Sequence, residues 1–247
     1  MSVEPVTTGP PRPIRPALLG QRWDHLAFLH WPVEPETVQP FLPAGTRPDT
    51  VDGISYVGLI AFRMVGVGLP VGPGLPYLGT FAETNVRLYS VDDEGRRGVV
   101  FRSLDAARLP FVLAAQAGLR LPYKWSAMRL DRAGDRYTYR CRRRWPNGRG
   151  ATSRLEIRAG ARIGEPTPLE HFLTARWGLH VRAYGRTLYL PNEHPPWPLH
   201  QAELLELDDQ LVSTAGLPSP PGPPVSVLFS PGVPVRFGRP VPLAEAQ

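Results

Sequence analysis

Short runs of alternating apolar and polar residues recur along the 247-residue chain and are separated by turns rich in glycine, proline and aspartate. Such alternation is typical of β-strands with one buried face, and about ten runs of this kind occur here. Two or three short helical segments lie between them. One has a proline in its first turn at Pro110, and another begins with the capping residue Thr167, followed by Pro168 and Glu170, and runs to about Ala175. The pattern predicts an α+β protein dominated by an antiparallel, barrel-like sheet with two or three short helices.

The segment FAETNVRLYSV, residues 81–91, is rich in β-forming residues, and a DDEG turn followed by GVVFRSL predicts that it forms a hairpin. Strand alternation places five of its residues on one face: Phe81, Glu83, Asn85, Arg87 and Tyr89. Inside a barrel, Glu83, Asn85 and Arg87 would form a buried polar group that has to be paired. On a solvent face they would need no explanation.

A helix over residues 109–118 is predicted to lead into the strand LPYKWSAMRL, which contains Lys124. Lys124, Ser126 and Met128 share one face of this strand, opposite Tyr123 and Trp125. The chain has one lysine and 27 arginines. A buried lysine can lose its proton and attack a carbonyl group, whereas arginine stays charged. The alternative is a lysine that has survived by chance in a surface loop.

The segments DHLAFLHWPVEPETVQPFLP, TVDGISYVGLIAFRM, FAETNVRLY, SLDA and LPYKWSAM, taken in this order, resemble the YqjF-like family of uncharacterised proteins. That family is grouped with the acetoacetate-decarboxylase-like fold, and the resemblance spans about residues 21–240. In acetoacetate decarboxylase, a lysine on a strand after a helix forms a Schiff base with the keto acid, and a glutamate on an earlier strand lies in the same pocket. The resemblance implies these two catalytic roles for Lys124 and Glu83, in one common cavity. A second lysine follows the first in the decarboxylase, and Trp125 occupies that position here.

We therefore expect a cofactor-free enzyme, or a pocket derived from one, for a small keto acid or other carbonyl compound. Arg87 and Asn85 are expected to bind the polar groups of the substrate, while Tyr123, Trp125 and Met128 surround the amine. The alternative is a small-ligand-binding protein in which Lys124 only attracts an anion. No phosphate loop, dinucleotide fingerprint, nucleophile elbow or zinc spacing occurs, which predicts neither cofactor nor metal.

The formal charge of +6 raises the question of nucleic-acid binding, and the densest basic run is Arg140, Arg142, Arg143 and Arg144. On a strand these arginines divide between the two faces. No known nucleic-acid-binding motif accompanies them, and a solvated basic face is favoured over a nucleic-acid interface.

The first 16 residues are rich in proline and lack the apolar core of a signal peptide. Residues 1–20 are predicted to be a flexible tail and residues 21–247 a single domain of a cytoplasmic protein without a membrane span. The glycine- and proline-rich segment 65–80 is expected to be a loop, acting as a lid, a pocket wall or an interface arm. Homo-oligomerisation is left open.

Overall fold

The computed structural model describes residues 2–244, which form thirteen β-strands, four α-helices and one 3-10 helix. The strands are β1 Leu19–Val33, β2 Thr46–Pro48, β3 Ser55–Gly68, β4 Phe81–Asp92, β5 Arg97–Ala106, β6 Tyr123–Ala133, β7 Arg136–Trp145, β8 Thr152–Arg162, β9 Gly178–Ala183, β10 Arg186–Glu193, β11 His200–Asp209, β12 Ser226–Phe237 and β13 Val241–Pro242. The helices are α1 Pro35–Val38, the 3-10 helix Gln39–Phe41, α2 Leu109–Leu119, α3 Pro168–Thr174 and α4 Leu211–Thr214.

All thirteen strands belong to one sheet, which closes on itself twice. One ring runs through β1, β3, β4, β5, β6, β7, β8, β11 and β12, and the other through β1, β3, β4, β5, β9, β10 and β12. Two of the closing contacts are short, since β5 meets β9 at one residue pair and β10 meets β12 at two. The sheet is therefore ring-like rather than a regular barrel. The predicted α+β class is confirmed.

Most neighbouring strands are antiparallel, as predicted, but β5 pairs with both β6 and β9 in parallel. The parallel β5–β6 pair follows from the intervening α2, because parallel neighbours require a crossover connection. Pro110 lies in the first turn of α2, and Arg120 ends it in the left-handed conformation. The predicted helix at residues 168–175 is also present, and Thr167 and Glu170 form a capping box at its start.

Five strands, β1, β3, β4, β5 and β12, take part in both rings. Because side chains alternate along a strand, each shared strand presents one face to each ring. On β4, Val86 and Leu88 pack into an apolar core with residues of β7 and β8, such as Tyr139 and Ile157. The alternate side chains of β4 face the other ring.

A buried ion pair connects three strands at the edge of that core. Arg143 of β7 donates from Nε and Nη2 to the carboxylate of Asp105 on β5, at 2.9 and 2.7 Å. Ser126 of β6 donates from Oγ to the same carboxylate at 2.7 Å. All three residues are fully buried. A shift of β5, β6 or β7 that separated these partners would leave an uncompensated buried charge, so the cluster fixes their register.

Arginines on the outer face of β7 and β8 are largely paired with acidic residues. Arg140 pairs with Asp131, and Arg154 pairs with Glu206. Arg158 pairs with Glu203. Arg143 of the predicted basic run is instead buried in the ion pair with Asp105, so the run is not solvated as a whole. The absence of a nucleic-acid interface stays a prediction.

The segment before β1 contacts the sheet. Glu4 donates its backbone N–H to Gly95, its carbonyl accepts from Arg97 Nε at 2.7 Å, and Trp177 Nε1 donates to the carbonyl of Thr7. The flexibility of residues 1–20 stays a prediction. None of the helices within residues 2–244 is long and apolar enough to cross a membrane.

The glycine- and proline-rich segment is shorter as a loop than predicted, because β3 extends to Gly68. In the rest of it, Leu69 and Val71 are exposed, and Arg108 donates from Nε to the carbonyl of Tyr77. Arg108 precedes α2, so the loop lies beside the start of that helix. Its role as a lid or interface arm stays a prediction.

We expect Asp105→Asn to lower the free energy of unfolding by about 3–5 kcal/mol, because it leaves the buried Arg143 cation without a counter-charge. Urea unfolding followed by circular dichroism measures the change. The control is Asp131→Asn, which removes an exposed carboxylate paired with Arg129 and Arg140 and should leave stability nearly unchanged. Equal effects of the two substitutions would contradict the structural role of the Asp105 cluster.

Candidate functional site

The ring that contains β9 and β10 is the smaller of the two. A cavity of about 510 Å³ lies on the face of the shared strands that points into this smaller ring. Its walls come from β1, β3, β4, β5, β9, β10 and β12, Tyr123 enters from the start of β6, and α2 covers it. Most of the lining is apolar, and much of it is aromatic. The aromatic side chains are Trp23, Phe28, Phe62, Phe101, Phe111, Tyr123, Trp197 and Phe237.

Three polar residues of β4, Glu83, Asn85 and Arg87, all line this cavity. They lie on the strand face that alternation predicts, and the face is buried rather than exposed to solvent. Gly58 of β3 lies opposite Arg87 in register. A Cβ atom at residue 58 would lie 3.1 Å from Arg87 Cγ and 3.3 Å from Cδ2 of His30. Glycine thus leaves the space that the arginine side chain occupies.

Glu83 is a buried carboxyl group at one end of this polar row, with 2% of its surface exposed. Tyr123 Oη donates a hydrogen bond to Glu83 Oε2 at 3.1 Å. Burial raises the pKa of Glu83 to about 8, although the hydrogen bond from Tyr123 opposes that shift. Glu83 is therefore protonated at neutral pH and can itself donate a hydrogen bond.

Arg87 is a buried cation at the other end of the row. Its Nε donates to Tyr89 Oη at 3.2 Å, and its Nη2 donates to the carbonyl of Leu173 at 2.7 Å. Among residues 2–244, its Nη1 has no hydrogen-bond partner and no carboxylate pairs with this guanidinium. A buried charge without a counter-ion is costly, so the site is suited to an anion.

A second lining arginine adds to the positive charge. Arg176 pairs through Nη1 with Asp49, which also pairs with Arg97, so two guanidiniums share one carboxylate. The Nη2 atom of Arg176 is buried and has no partner among the described residues. With Glu83 protonated, the surroundings of the cavity carry a net positive charge.

His194 also lines the cavity, between the rings of Trp177 and Trp197 at centroid distances of 4.5 and 4.7 Å. Burial lowers its pKa to about 4, so it is neutral at physiological pH. Arg176 and His194 were not predicted as site residues. They lie in irregular segments after α3 and β10, where no periodic pattern indicates which way a side chain points. For His194 the only sequence signal is the cluster of histidine, proline and tryptophan in NEHPPWPLH, and Arg176 lies outside that segment.

Lys124 does not reach this cavity, and the expected common cavity with Glu83 is not formed by the described residues. The reason is the parallel register of β5 and β6, which pairs Leu104 with Tyr123 and Asp105 with Lys124. Leu104 and Tyr123 line the cavity, whereas Asp105 belongs to the buried cluster on the opposite face. Lys124 is half-buried there, and burial followed by the charge of Arg143 lowers its pKa.

Trp125 and Met128, which were predicted to surround the amine of Lys124, also lie outside the cavity lining. Met128 packs against the apolar core of the larger ring. Trp125 lies under the guanidinium of Arg144, whose Cζ is 4.9 Å from the ring centroid. Of the seven predicted site residues, the structure brings together Glu83, Asn85, Arg87 and Tyr123. All seven functional roles stay predictions.

Within residues 2–244, no group of three or more histidine, cysteine, aspartate or glutamate side chains could hold a metal ion. The single cysteine, Cys141, is buried in the apolar core, where burial raises the pKa of its thiol.

Comparison with known proteins places these features in context. The family DUF2071, described as an uncharacterized conserved protein, matches residues 20–234. The uncharacterized protein YqjF of Bacillus subtilis (strain 168) is 29% identical over 188 residues, which are 75% of this chain and 76% of YqjF. The resemblance seen in the sequence segments is confirmed.

Two solved structures are similar over nearly the whole chain. The enduracididine biosynthesis enzyme MppR complexed with pyruvate has a TM-score of 0.63 at 14% identity, covering 94% of this chain and 92% of its own. An acetoacetate decarboxylase-like enzyme from Sphingomonas wittichii RW1 has a TM-score of 0.63 at 14% identity, covering 93% and 94%. At such identities the likeness shows the fold, which is acetoacetate-decarboxylase-like.

The raised pKa of Glu83 makes stability depend on pH with a defined sign. The folded state keeps this proton up to about pH 8, whereas an unfolded glutamate loses it near pH 4.3. Between these values the folded state binds one proton more, so the free energy of unfolding falls as pH rises and levels off above about pH 8.

We expect the wild type to lose up to about 1.4 kcal/mol per pH unit in that window relative to Glu83→Gln, which cannot titrate. Urea unfolding of both proteins at about pH 5, 6.5 and 8 measures the difference. The pH dependence contributed by all other titratable groups is the same in both proteins and cancels in the difference. A constant difference across the three pH values would show that Glu83 is ionised in the folded protein.

Proposed function

The chain belongs to the DUF2071 family of uncharacterized conserved proteins, and we propose that its cavity binds a small organic acid that carries a carbonyl group. The observation that carries this proposal is the buried guanidinium of Arg87, which lies in a mostly apolar cavity and has no carboxylate partner among residues 2–244. A ligand carboxylate would supply a counter-charge.

The carboxylate of the ligand would bind to Nη1 of Arg87. Hydrogen bonds between charged groups are stronger than those between neutral groups, and they gain further where water is excluded. Tyr89 and Leu173 hold the other two donor positions of this guanidinium, which fixes its orientation before the ligand arrives. Such preorganisation lowers the cost of binding.

The carbonyl oxygen of the ligand would accept from the carboxyl group of Glu83. An ionised Glu83 would repel an organic anion, whereas the protonated form donates a hydrogen bond instead. A buried carboxylic acid with a pKa of about 8 can also serve as a general acid that protonates an enolate or alkoxide oxygen near neutral pH. Glu83 is thus the residue we assign to proton transfer, and Tyr123 orients it.

The fold supports this assignment by analogy. The structural neighbour MppR was solved with pyruvate, an organic acid with a carbonyl group. Acetoacetate decarboxylase-like enzymes share the same fold. An analogy at this level concerns the kind of ligand and leaves the reaction open.

A Schiff base at Lys124 is the second candidate function. It is favoured by the lowered pKa of Lys124, which increases the neutral, nucleophilic fraction of the amine. It is disfavoured by the position of Lys124 on the face of β6 opposite the cavity. The geometry therefore supports non-covalent binding at Arg87 and Glu83 more strongly.

We expect Arg87→Met to weaken the binding of pyruvate and of octanoate at least thirtyfold, or about 2 kcal/mol, because the ligand anion loses its counter-charge. Isothermal titration calorimetry measures both affinities. The carbonyl of Leu173 keeps a partner in this variant, since Tyr89 Oη also donates to it at 2.9 Å.

Arg129→Met serves as the matched control, because Arg129 is exposed on β6 and outside the cavity lining. Its affinities should equal those of the wild type. If neither acid binds the wild type, or if both variants bind equally well, the proposed function is wrong.

Borohydride reduction tests the covalent alternative, since Met1 and Lys124 carry the only amines of this sequence. With acetoacetate or pyruvate at neutral pH, we expect peptide mapping to find no adduct at Lys124. The matched variant is Lys124→Arg, which keeps the positive charge but removes the nucleophile. An adduct in the wild type that disappears in Lys124→Arg would establish the Schiff base.

A further inference from the structure

The two polar ends of the cavity lie far apart along one strand. Glu83 and Arg87 are four residues apart on β4, and an extended strand rises by about 3.3 Å per residue, so their Cα atoms are separated by about 13 Å. The β3–β4 register is regular over this stretch, which shows that β4 is extended here.

The side chains do not close this gap. The guanidinium of Arg87 bonds to Tyr89, which lies two residues further from Glu83 on the same face. The carboxyl group of Glu83 bonds instead to Tyr123 of β6, on the side of β4 where β5 and β6 lie. The side chain of Arg87 lies on the opposite side, in the space left by Gly58 of β3. The free donor of Arg87 and the Glu83–Tyr123 pair are consequently separated by a distance on the order of 10 Å.

The wall between these two ends is largely apolar. Asn85 lies between Glu83 and Arg87 on β4, and in register with it lie Ile60 on β3 and Phe28 on β1. All three line the cavity. Apart from the amide of Asn85, a polar ligand group on this path would meet Ile60, which cannot replace its lost hydration, whereas an alkyl group would be stabilised there. The ring centroid of Phe28 lies 5.8 Å from Cζ of Arg87, and Phe28 therefore belongs to the Arg87 end.

Volume leads to the same conclusion. A cavity of about 510 Å³ falls within the range of roughly 300–1,000 Å³ that is typical of sites for drug-sized ligands. Pyruvate, with its single methyl group, would occupy one end only. A 2-oxo acid has its carboxylate and its carbonyl on adjacent carbon atoms and is too short to contact Arg87 and Glu83 together.

We propose that the ligand of this cavity is an extended oxo acid, in which an apolar chain separates the carboxylate at Arg87 from the carbonyl oxygen at the Glu83–Tyr123 pair. This inference rests on the proposed function, because it assumes that Arg87 binds the carboxylate. It adds the length of the ligand and the position of its carbonyl group. Asn85, in the middle, contributes an amide whose Oδ1 has no partner among the described residues.

Two isomers of one acid provide the test, since 7-oxooctanoate and 2-oxooctanoate differ only in the position of the oxo group. We expect 7-oxooctanoate to bind the wild type about tenfold more tightly than 2-oxooctanoate or octanoate, because only its oxo group reaches the far donors. Isothermal titration calorimetry at pH 7 measures the three affinities. Octanedioate should bind less tightly than 7-oxooctanoate. Its second carboxylate would be buried beside Glu83, whose neutral carboxyl group offers no positive charge to compensate for its lost hydration.

Glu83→Leu should remove the advantage of 7-oxooctanoate over octanoate. The matched control Glu203→Leu changes an exposed glutamate of β11 outside the cavity and should retain it. If 7-oxooctanoate binds no more tightly than 2-oxooctanoate while both depend on Arg87, the extended-acid inference is overturned and the proposed function stands. If no carboxylate depends on Arg87, both are overturned.

Discussion

The alternation of side chains along the five shared strands is the constraint on which the rest of the structure depends. Each of β1, β3, β4, β5 and β12 has to satisfy an apolar core on one face and a cavity on the other. The register of each shared strand is therefore fixed, because a shift by one residue would move every side chain to the opposite face. The same constraint separates Tyr123 from Lys124, although they are adjacent in sequence.

Electrostatics then distinguishes the two sides of the shared wall. On the core side, the charge of Arg143 is neutralised within the protein by Asp105. On the cavity side, Arg87 pairs with no carboxylate among residues 2–244, and Glu83, at the other end of the polar row on β4, is kept neutral by burial. The first arrangement is neutralised within the protein, whereas the second leaves a positive charge that an anionic ligand could neutralise. This difference supports the proposed ligand site more strongly than the size of the cavity does.

Much of this organisation could be predicted from local patterns. The β4 alternation correctly groups Glu83, Asn85 and Arg87, and the turn and capping signals locate α2 and α3. Alternation also assigns Tyr123 and Lys124 to opposite faces of β6. It does not show which face meets Glu83, because the parallel register of β5 and β6 is a tertiary property. Arg176 and His194 could not be predicted for a related reason. They lie in irregular segments, and their position at the cavity depends on the tertiary structure.

The two-sided wall also has a consequence for how proteins of this architecture can diverge. Substitutions at alternate positions of β4 fall into separate classes, since residues 83, 85 and 87 touch the cavity and residues 86 and 88 touch the core. Descendants of one ancestor could therefore exchange one ligand for another by changing one class while the other class preserves folding. Over evolutionary time, such a fold would accumulate many specificities on an almost constant scaffold, and overall sequence identity would be a poor guide to shared chemistry.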